Sequence, residues 1–464
     1  HSGLSAGQRF DQWRRIAAGE VKIAVGTRSA VFAPFEALGL IIVDEEHDTS
    51  YKQETGLRYN ARDVAVMRAR QQGAVALLGS ATPSIQSFFN VQQKKFMALS
   101  LSKRVEERPM PEISVVNLKT VQGAKGIQQF ITPALHKALA QTLSRGEQAL
   151  LFLNRRGYAN YPICRDCGSA ICCDHCDISL TLHRNTNAYK CHFCGDCRPS
   201  TSPCPACGSR HILHMGLGTE KVEAGIRALF PAARVARMDR DTTVRKGAML
   251  SLLKGLKDRT IDVLVGTQMV AKGHDFPYIT LVGVICADLS LNFPDFRAGE
   301  RTFQLLAQVA GRAGRGDVPG RVILQTYNPD HFSIVSAQSQ DSPGFYDREI
   351  EFRRSLRYPP FSRLAQIRIS GKEKDRARAA ALELGRCCKR LKTGDAFEKS
   401  IDVLGPIEAP LLKIAGKYRW QILLKAAGVQ ALHRFIGALM AENPAFFNSS
   451  RANVVIDVDP YDML

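Results

Sequence analysis

The chain has no uninterrupted apolar run near 18 residues, no low-complexity segment and no short-period repeat. The missing apolar run predicts that no helix spans a membrane. A second absence is the motif Gly-x4-Gly-Lys-[Ser/Thr], whose backbone amides and lysine cradle nucleotide phosphates. Nothing at the start of the chain resembles a secretion signal, so we expect the cysteines to be reduced.

Basic residues dominate the charge. Sixty-three Lys and Arg residues against 44 Asp and Glu residues give a formal net charge of +19. This excess favours a polyanionic partner, and nucleic acid is the first candidate. The alternative is a basic, solvated surface without such a partner. The 464 residues are enough for two to four domains with real hydrophobic cores.

Eight of the thirteen cysteines form four Cys-x-x-Cys pairs within 44 residues. The pairs are Cys164/Cys167, Cys173/Cys176, Cys191/Cys194 and Cys204/Cys207. Two-residue spacing lets both thiolates of a pair face one tetrahedral ion, so four pairs predict two structural zinc sites. The spacing alone leaves the frame open, because Cys194/Cys197 is also such a pair and Cys172 adjoins Cys173. The alternative is a disulfide framework, which the missing secretion signal disfavours.

Short apolar runs with polar residues at their ends predict parallel β-strands buried on both faces. The runs cover residues 21–25, 40–43, 261–265 and 281–286. Gly26-Thr27-Arg28 follows the first run and Gly266-Thr267-Gln268 the third, while the second and fourth end near Asp44 and Asp288. Ligands bind at the carboxyl edge of such sheets. The repeated pattern therefore predicts two related α/β lobes.

Composition suggests five segments. Residues 1–100 form the first lobe, and the second lobe comprises 101–159 and 212–335 around a cysteine insert at 160–211. Strand-like runs at 364–369, 420–424 and 454–458 alternate with helical runs at 375–391 and 430–440. Residues 336–464 are therefore predicted to form a small α+β domain. The predicted class is α/β, with two parallel-sheet lobes, the insert and this last domain.

Asp44-Glu45 at the end of a buried strand is the first pattern that carries chemistry. Asp44 can hold Mg²⁺ on nucleotide phosphates, and Glu45 can orient or deprotonate the attacking water. The structural alternative is a helix N-cap. A second apolar strand ends in Gly79-Ser80-Ala81-Thr82, and the hydroxyls of Ser80 and Thr82 can sense the first site.

The second pattern runs from Gln308 to Arg315. On a helix, Gln308, Arg312 and Arg315 share one face, so one amide and two guanidinium groups point the same way. Such arginines suit the charge that grows during γ-phosphoryl transfer. A merely basic helix surface would not need Gly311 and Gly314, since each glycine costs a helix roughly 1 kcal/mol relative to alanine.

These motifs, in this order, resemble those of the superfamily 2 helicases. They are Asp44-Glu45-Glu46-His47, Gly79-Ser80-Ala81-Thr82, Phe152-Leu-Asn-Arg155-Arg156-Gly157, Gly218-Thr219-Glu220, Asp239-Arg-Asp241-Thr, Gly266-Thr267-Gln268-Met-Val-Ala-Lys272-Gly273 and Gln308 to Arg315. The four cysteine pairs between the Asn-Arg-Arg-Gly and Gly-Thr-Glu blocks narrow the resemblance to the bacterial replication-restart helicases, the primosomal protein N′ family. It covers nearly the whole chain.

The resemblance implies an ATP-dependent 3′-to-5′ DNA helicase with two RecA-like lobes. It would act at stalled forks and in primosome assembly, as a monomer in the bacterial cytoplasm near the nucleoid. Its partners would be forked and single-stranded DNA, single-strand-binding protein and primosome proteins, with no membrane. Its cofactors would be ATP, Mg²⁺ and two Zn²⁺ ions.

The resemblance also assigns residues. Cys164, Cys167, Cys204 and Cys207 would hold one zinc, and Cys173, Cys176, Cys191 and Cys194 the other. Nucleotide contacts would come from Gln308, Gly311, Gly273 and Asp275. DNA binding and coupling would use Arg28, Tyr51, Lys52, Tyr59, Arg62, Ser80, Thr82, Thr267, Gln268 and Lys272. Residues 51–62 resemble the family's aromatic-rich loop, although Leu57 stands where a tryptophan is expected.

In the family the phosphate loop lies upstream, so we expect this chain to begin inside a truncated first lobe and to be inactive alone. A second hypothesis is a zinc-containing DNA-binding primosome scaffold without ATPase activity. A third is a double-strand translocase of the same superfamily. In the last domain, the aromatic and basic segment Lys417-Tyr418-Arg419-Trp420-Gln421 either binds DNA or single-strand-binding protein, or is an edge strand with a core tryptophan.

Overall fold

The computed structural model describes residues 4–101, 110–121, 130–153, 161–183, 186–215, 218–239, 242–243, 247–270, 276–314, 318–394, 397–447, 452–461 and 463. The chain divides into two compact units. The first comprises residues 1–96 and 457–463, and the second comprises residues 97–456 with residue 464. No helix in these described ranges has both the length and the apolar character needed to cross a membrane.

The first unit contains a small parallel sheet. Its elements are α1 (Ala6–Ala17), β1 (Leu40–Val43), α2 (Ala61–Gln72), β2 (Val75–Leu78) and α3 (Ile85–Gln92). Local signals fix the helix starts, since Ser5, Asn60 and Ser84 each cap a helix with a side-chain oxygen. β1 and β2 pair in parallel from Leu40 opposite Val75 to Val43 opposite Leu78.

One face of this sheet is exposed. Leu40 and Ile42 on β1 are 51% and 62% exposed, and Val75 and Leu77 on β2 are 61% and 41% exposed. Residues two apart on a strand share a face, so these four side chains form one apolar surface. Parallel sheets are normally covered on both faces, which makes this surface unusual.

The strand predicted at residues 21–25 is wrong. These residues have no strand structure, and Ile23 and Val25 are 80% and 97% exposed. An apolar run becomes a strand when a neighbour supplies hydrogen bonds and cover. Among the described residues of this unit, β1 and β2 are the sheet strands, and neither pairs with residues 21–25.

The second unit is built on a six-stranded parallel sheet, as the buried apolar runs predicted. Its elements are β3 (Glu112–Asn117), α4 (Pro133–Ser144), β4 (Gln148–Phe152), α5 (Thr219–Leu229), β10 (Val235–Met238), α6 (Ala248–Lys257), β11 (Val263–Gly266), β12 (Ile279–Val284), α7 (Asp288–Leu291), α8 (Ala298–Ala310) and β13 (Arg321–Thr326). The strand order is β10-β11-β4-β12-β13-β3, and every residue of β4 is buried. Leu135, Leu151, Val222, Val265 and Ile323 belong to the core of this sheet.

The cysteine-rich insert follows β4 and has its own small strands. They are β5 (Tyr161–Cys164), β6 (Thr181–His183), β7 (Ala188–Lys190), β8 (Cys197–Pro199) and β9 (Ile212–Met215). β5 and β9 pair antiparallel with Cys164 opposite Ile212, which brings the two ends of the insert together. β6, β7 and β8 form a three-stranded antiparallel sheet between them.

The remaining elements form an α+β region, as predicted. They are α9 (Phe332–Ser339), α10 (Ser342–Ser355), β14 (Arg363–Gly371), α11 (Lys374–Lys392), β15 (Ile401–Ile414), β16 (Lys417–Ala426), α12 (Val429–Glu442), α13 (Pro444–Phe447) and β17 (Asn453–Val458). The sheet order is β15-β16-β14-β17, so β16 is an internal strand. Trp420 on β16 is buried in the core, which corrects the expectation of an edge strand while keeping its core tryptophan.

Candidate metal centres and nucleotide site

All four Cys-x-x-Cys pairs adopt the same backbone loop. The amide of the residue four places after the first cysteine donates to that cysteine's carbonyl oxygen, at 2.8–3.1 Å. The first cysteine's amide in turn donates to the carbonyl five residues later. The residues at the fourth place have positive φ; they are Gly168, Asp177, Gly195 and Gly208. This repeated turn directs both sulfur atoms of each pair to one side.

The eight predicted sulfur atoms form two clusters. The outer cluster is Cys164, Cys167, Cys204 and Cys207, and the inner cluster is Cys173, Cys176, Cys191 and Cys194. Within each, all four sulfur atoms lie within 4.8 Å of one another. Sulfur pairs at 3.5–3.6 Å are close to the edge of about 3.8 Å that a Zn–S bond of about 2.3 Å gives a tetrahedron. The two clusters can hold zinc ions.

Thiol electrostatics also fit a divalent cation. Burial opposes ionisation of Cys167, but hydrogen bonds from Ser169 lower its pKa to about 6. A backbone hydrogen bond from Ser209 favours the Cys207 thiolate, but the neighbouring Cys167 raises the pKa of Cys207 to about 12. Four thiols this close compete for protons, whereas one Zn²⁺ stabilises all four thiolates together.

The sequence left the cysteine frame open between two alternatives, and the geometry selects one. Cys172 and Cys197 belong to neither cluster. Burial raises the pKa of the Cys172 thiol to about 11, and Cys197 is exposed on β8, where it pairs with Lys190. The eight cysteines of the two clusters are therefore the ones placed to hold metal ions.

The two clusters are anchored to different parts of the second unit. Beside the outer cluster, Gly168 packs so closely on the Tyr327 carbonyl, just after β13, that a Cβ at Gly168 would overlap it. Beside the inner cluster, the Tyr358 hydroxyl donates to the Cys176 carbonyl at 3.0 Å. The outer cluster thus rests against the parallel sheet and the inner cluster against the α+β region.

His192 lies at the centre of the contact between the inner cluster and the α+β region, and no sequence pattern singled it out. It is 1% exposed, and its Nδ1 donates to the Glu408 carbonyl of β15 at 2.9 Å. Gln421 of β16 donates from Nε2 to the His192 carbonyl at 2.6 Å. No sequence signal marks these partners, because they are more than 200 residues away from His192.

In the first unit, the predicted Mg²⁺ ligand Asp44 lies at the carboxyl end of β1. Its side chain is exposed, and its Oδ1 accepts a hydrogen bond from the Glu45 amide at 3.0 Å. Glu45 is exposed with a φ of 48°, a conformation that non-glycine residues adopt rarely and often at functional sites. An exposed carboxylate at this edge fits a hydrated Mg²⁺ ion.

The motif that follows β2 is joined to this site. His47 Nδ1 and Ser80 Oγ lie 2.7 Å apart, and the Glu46 amide donates to the Gly79 carbonyl at 3.0 Å. Ser80 Oγ also accepts from the Thr82 amide at 2.9 Å. The predicted pairing of the Asp-Glu-Glu-His and Ser-Ala-Thr segments is therefore present.

The predicted DNA-coupling residues of this unit have different environments. Tyr51 donates its hydroxyl to the Asp44 carbonyl at 2.6 Å, and Tyr59 packs edge-on against Phe32. The Arg28 guanidinium donates to the carbonyls of Ser50 and Lys52, at 3.0 and 2.8 Å. Arg28 thus holds the loop that follows the Asp44 motif.

Lys52 and Arg62 require a correction, because both are buried. Lys52 Nζ pairs with Asp457 at 2.8 Å, and Arg62 pairs with Glu46 at 3.1 Å. Their side chains are 2% and 6% exposed. In this structure they stabilise the fold around the loop, and direct contact with DNA is not open to them. Thr82 is buried in the same way.

Helix α8 also corrects a prediction. Gln308 lies on α8, but the helix ends at Ala310, so Arg312 is in the following turn and not on a shared helical face. Gly314 has a φ of 67°, and a Cβ there would overlap Gly320, which explains this glycine as part of a tight turn. Arg312 is buried, Gly311 caps the helix, and Arg315 lies outside the described residues.

Some of the other site residues predicted in the second lobe lie within the described ranges, and some lie outside them. Thr267 and Gln268 are half-buried just after β11, and Thr219 donates its hydroxyl to Asp239 at 2.8 Å. The Gly-Thr-Glu and Asp-Arg-Asp motifs are therefore in contact. Lys272, Gly273 and Asp275 lie outside the described residues, as do Asn154 to Gly157.

Comparisons with known proteins agree with these features. Residues 354–461 match the family model "Primosomal protein N C-terminal domain", and residues 173–199 match "PriA DNA helicase Cys-rich region (CRR) domain". The parallel sheet, the eight-cysteine insert and these models define an α/β protein of the helicase class with a Cys-rich region. The chain belongs to the family of the replication restart protein PriA.

Two relatives support this membership. The replication restart protein PriA of Bacillus subtilis (strain 168) is 44% identical over 464 residues, which are 100% of this chain and 57% of the relative. That of Treponema pallidum (strain Nichols) is 39% identical over 464 residues, 100% of this chain and 68% of the relative. The chain thus spans little more than half the length of the Bacillus relative. Among solved structures, Saccharomyces cerevisiae Dbp5 bound to RNA and ADP BeF3 aligns with 76% of this chain and 67% of its own, at 13% identity and a TM-score of 0.37.

Proposed function

We propose that this chain is part of an ATP-dependent 3′-to-5′ DNA helicase that acts at stalled replication forks and in primosome assembly. Family membership and the contacts around Asp44 support this function. One hydrogen bond joins Tyr51 of the aromatic loop to the Asp44 carbonyl, and another joins His47 to Ser80. A motor needs such contacts, because nucleotide hydrolysis must change the affinity of the protein for DNA.

The roles follow from position and chemistry. Asp44 would hold Mg²⁺, which supplies charge neutralisation on the phosphates, and Glu45 would orient the attacking water. Arg312 and Arg315 would stabilise the γ-phosphate, with Gln308, Gly311, Gly273 and Asp275 contacting the nucleotide. Tyr51, Tyr59, Ser80, Thr267, Gln268 and Lys272 would serve DNA binding and coupling, and Arg28, Lys52, Arg62 and Thr82 would position that loop. The zinc clusters would present the insert to DNA or to primosome proteins.

The alternative is a zinc-containing DNA-binding scaffold of the primosome without ATPase activity. One observation favours it, namely that the 464 residues contain no Gly-x4-Gly-Lys-[Ser/Thr]. A scaffold, however, has no use for a paired Asp-Glu-Glu-His and Ser-Ala-Thr unit. Single-strand-binding protein and other primosome proteins remain proposed partners in both cases.

ATP hydrolysis by this chain, with and without forked DNA that carries a single-stranded arm, tests the proposal. We expect DNA binding without stimulated turnover, because the lysine and backbone amides of a phosphate loop are missing from the sequence. Extending the polypeptide to the relatives' full length should restore DNA-stimulated turnover. An extended protein that binds forks but hydrolyses no ATP would favour the scaffold.

A further inference from the structure

The last residues of the chain fold together with the first ones. Residues 457–463 belong to the first compact unit, as residues 1–96 do. Asp457 and Met463 are 0% and 3% exposed, and no described residue between them is exposed. The end of a chain is poorly ordered unless contacts hold it down. The contacts that residues 457–463 make in the first unit therefore need an explanation.

The first contact is a buried ion pair with the loop that follows the Asp44 motif. Lys52 Nζ lies 2.8 Å from Asp457 Oδ1, and it donates to the Val458 carbonyl at 2.7 Å. Both charged side chains are at most 2% exposed. Apolar side chains of similar volume often stabilise a fold as well as a buried ion pair does. What this pair adds is geometry, because the ammonium group of Lys52 meets two oxygens in fixed positions.

Lys52 lies at the neck of the aromatic loop, which we define as residues 52, 53, 59 and 60. Lys52 and Asn60 pair as an antiparallel β-bridge, and the Gln53 amide donates to the Tyr59 carbonyl at 2.8 Å. These contacts close the neck, while the tip of the loop at residues 55–57 is exposed. A displacement of Lys52 would therefore move both sides of the neck.

The neck is also connected to the end of β1. Tyr51 donates its hydroxyl to the Asp44 carbonyl at 2.6 Å, and Arg28 donates to the Lys52 carbonyl at 2.8 Å. These bonds hold the chain at and just before the neck, whereas Asp457 holds the end of the Lys52 side chain. The contacts therefore run without a break from Asp457 through the neck to Asp44.

A second contact lies just after the neck, at the start of α2. Arg62 is 5% exposed and pairs with Glu46 at 3.1 Å. Burial opposes the charge of Arg62, but the neighbouring Tyr461, Asp63 and Glu46 raise the pKa of its guanidinium above the ordinary value. Residues 457–463 thus act on the chain on both sides of the loop, through Lys52 before the tip and through Arg62 after it.

We infer that Asp457 is a positioning residue, which holds the neck through Lys52 and keeps the aromatic loop in the form that binds single-stranded DNA. Asp457 acts without touching DNA, because it is fully buried. The inference rests on the proposed function only for the role of the loop in DNA binding. In the competing explanation, the Asp457 carboxylate occupies a lysine that would otherwise bind a DNA phosphate. The two explanations differ in sign, because loss of the carboxylate weakens DNA binding in the first and strengthens it in the second.

Variants of the zinc-loaded 464-residue chain test the inference. Asp457→Asn alone leaves Lys52 buried without its counter-charge, which destabilises the unit. Lys52→Met combined with Asp457→Asn removes both charges and should recover most of that stability in chemical denaturation. In this double variant, amide exchange at Gln53 should still be about tenfold faster than in the wild type, because the neck opens locally. Exchange in β1 and β2 should be unchanged. Glu20→Gln, at an exposed ion pair of the same unit, is the control and should alter neither measurement.

Affinity for single-stranded oligothymidine, measured by fluorescence anisotropy, is the second arm. The double variant should bind about fivefold more weakly than the wild type, because the rings of a displaced loop no longer meet the bases. Tyr59→Ala reports whether the loop contributes to DNA binding. If Tyr59→Ala weakens binding and the double variant does not, or if the double variant binds more tightly, the inference is overturned.

The exchange arm contains no DNA, so it separates failure of the inference from failure of the proposed function. If Tyr59→Ala leaves affinity unchanged, the proposed role of the loop in DNA binding has failed, and exchange alone decides whether Asp457 positions the neck. Faster exchange at Gln53 in the double variant then supports the positioning role, and unchanged exchange overturns it.

Discussion

At the scale of single residues, the hydrogen bond from Tyr51 to the Asp44 carbonyl links the aromatic loop to the predicted Mg²⁺ ligand. Burial, together with the charges of Asp44 and Asp48, raises the pKa of Tyr51 above its ordinary value of 10.0. The hydroxyl therefore remains protonated and continues to donate at neutral and mildly alkaline pH. This bond gives the loop a direct mechanical connection to the end of β1.

Tyr51→Phe in a polypeptide of the relatives' full length should uncouple DNA from hydrolysis. The ring stays, but a hydrogen bond worth about 1 kcal/mol is lost, so DNA-stimulated ATP turnover should fall about fivefold. Affinity for single-stranded DNA should be unchanged. Tyr59→Phe is the matched control, since its ring packs on Phe32. An equal loss in both variants would contradict the coupling role of Tyr51.

Leu57→Trp should strengthen binding of single-stranded DNA to the chain itself. Leu57 is 76% exposed, between Lys52 and Asn60, which pair as a β-bridge. A ring at this position can stack on a base, which is worth about 1–3 kcal/mol, so affinity measured by fluorescence anisotropy should rise about fivefold or more. Leu250→Trp, at a position 72% exposed on α6, is the control. Similar gains in both variants would indicate nonspecific stacking.

At the scale of elements, loss of zinc from the inner cluster and loss of zinc from the outer cluster should loosen different parts of the second unit. Cys176→Ser removes an inner ligand and Cys207→Ser an outer one, and each should lower bound zinc from two ions to one. Hydrogen exchange should then rise near Glu408 and Gln421 in the inner variant, since His192 loses its support. In the outer variant it should rise in β5 and β9 and around Tyr327.

The parallel sheet should survive both changes and full chelation. The core cluster that contains Leu151 and Val265 includes no described residue of the insert, and Ile163 of β5 packs only with a small cluster at the strand ends, Leu118, Cys286 and Tyr327. The far-ultraviolet circular dichroism of the sheet and its helices should therefore persist. Identical exchange patterns in the two variants would contradict separate anchoring. Loss of the whole α/β signal on chelation would contradict the independence of the sheet.

Helices and strands whose residue pattern lies within the element itself were predictable from the sequence. Short apolar runs identified β1, β11 and β12, and the strand-like and helical runs after residue 336 identified β14, α11, α12 and β17 to within about three residues. The strand predicted at 21–25 does not form, because no described strand of the first unit pairs with these residues. β15 was missed because its residues are mostly half-buried and carry no continuous apolar run.

The candidate site was predictable to a similar degree. Repeated two-residue spacing was enough to find both cysteine clusters, because each ligand pair is local in sequence. Burial of Lys52 and Arg62 was not predictable, since their partners Asp457 and Glu46 are fixed only by tertiary packing. The end of α8 before Arg312 depends on the close approach of Gly314 to Gly320, which no motif reveals.

At the scale of the whole molecule, a buried ionic triad ties α8 to α10 within the second unit. Arg353 bonds Glu300 at 2.6 Å and Glu349 at 2.8 Å, and all three side chains are at most 8% exposed. α8 carries Gln308 and leads to Arg312. The triad therefore joins the proposed γ-phosphate region to the α+β region.

The triad predicts how stability depends on pH. Burial raises the pKa of Glu349 from 4.5 to about 7, against the opposing charge of Arg353. The folded state thus holds a proton that the unfolded state releases, so this residue's contribution is present below about pH 4.5 and is lost as the pH rises through about 7. Glu349→Gln should remove up to about 3 kcal/mol of this pH dependence in the free energy of unfolding.

Chemical denaturation of the second unit at pH 5 and pH 8 measures this effect. Glu351→Gln, at an exposed position on the same helix, is the control and should leave the pH dependence unchanged. Parallel pH profiles for the wild type and Glu349→Gln would show that the triad does not titrate in this range.

The nested order of the two cysteine clusters sets a sequence of events during synthesis. The inner ligands span 173–194 and the outer ligands span 164–207, so a ribosome releases the complete inner set first. Closing the shorter loop also costs less chain entropy, although the difference is below about 1 kcal/mol. Once the inner ion is bound, it shortens the free chain between the outer ligands. Metal loading would therefore proceed from the centre of the insert outward, and the last ion would close the insert where its two ends meet.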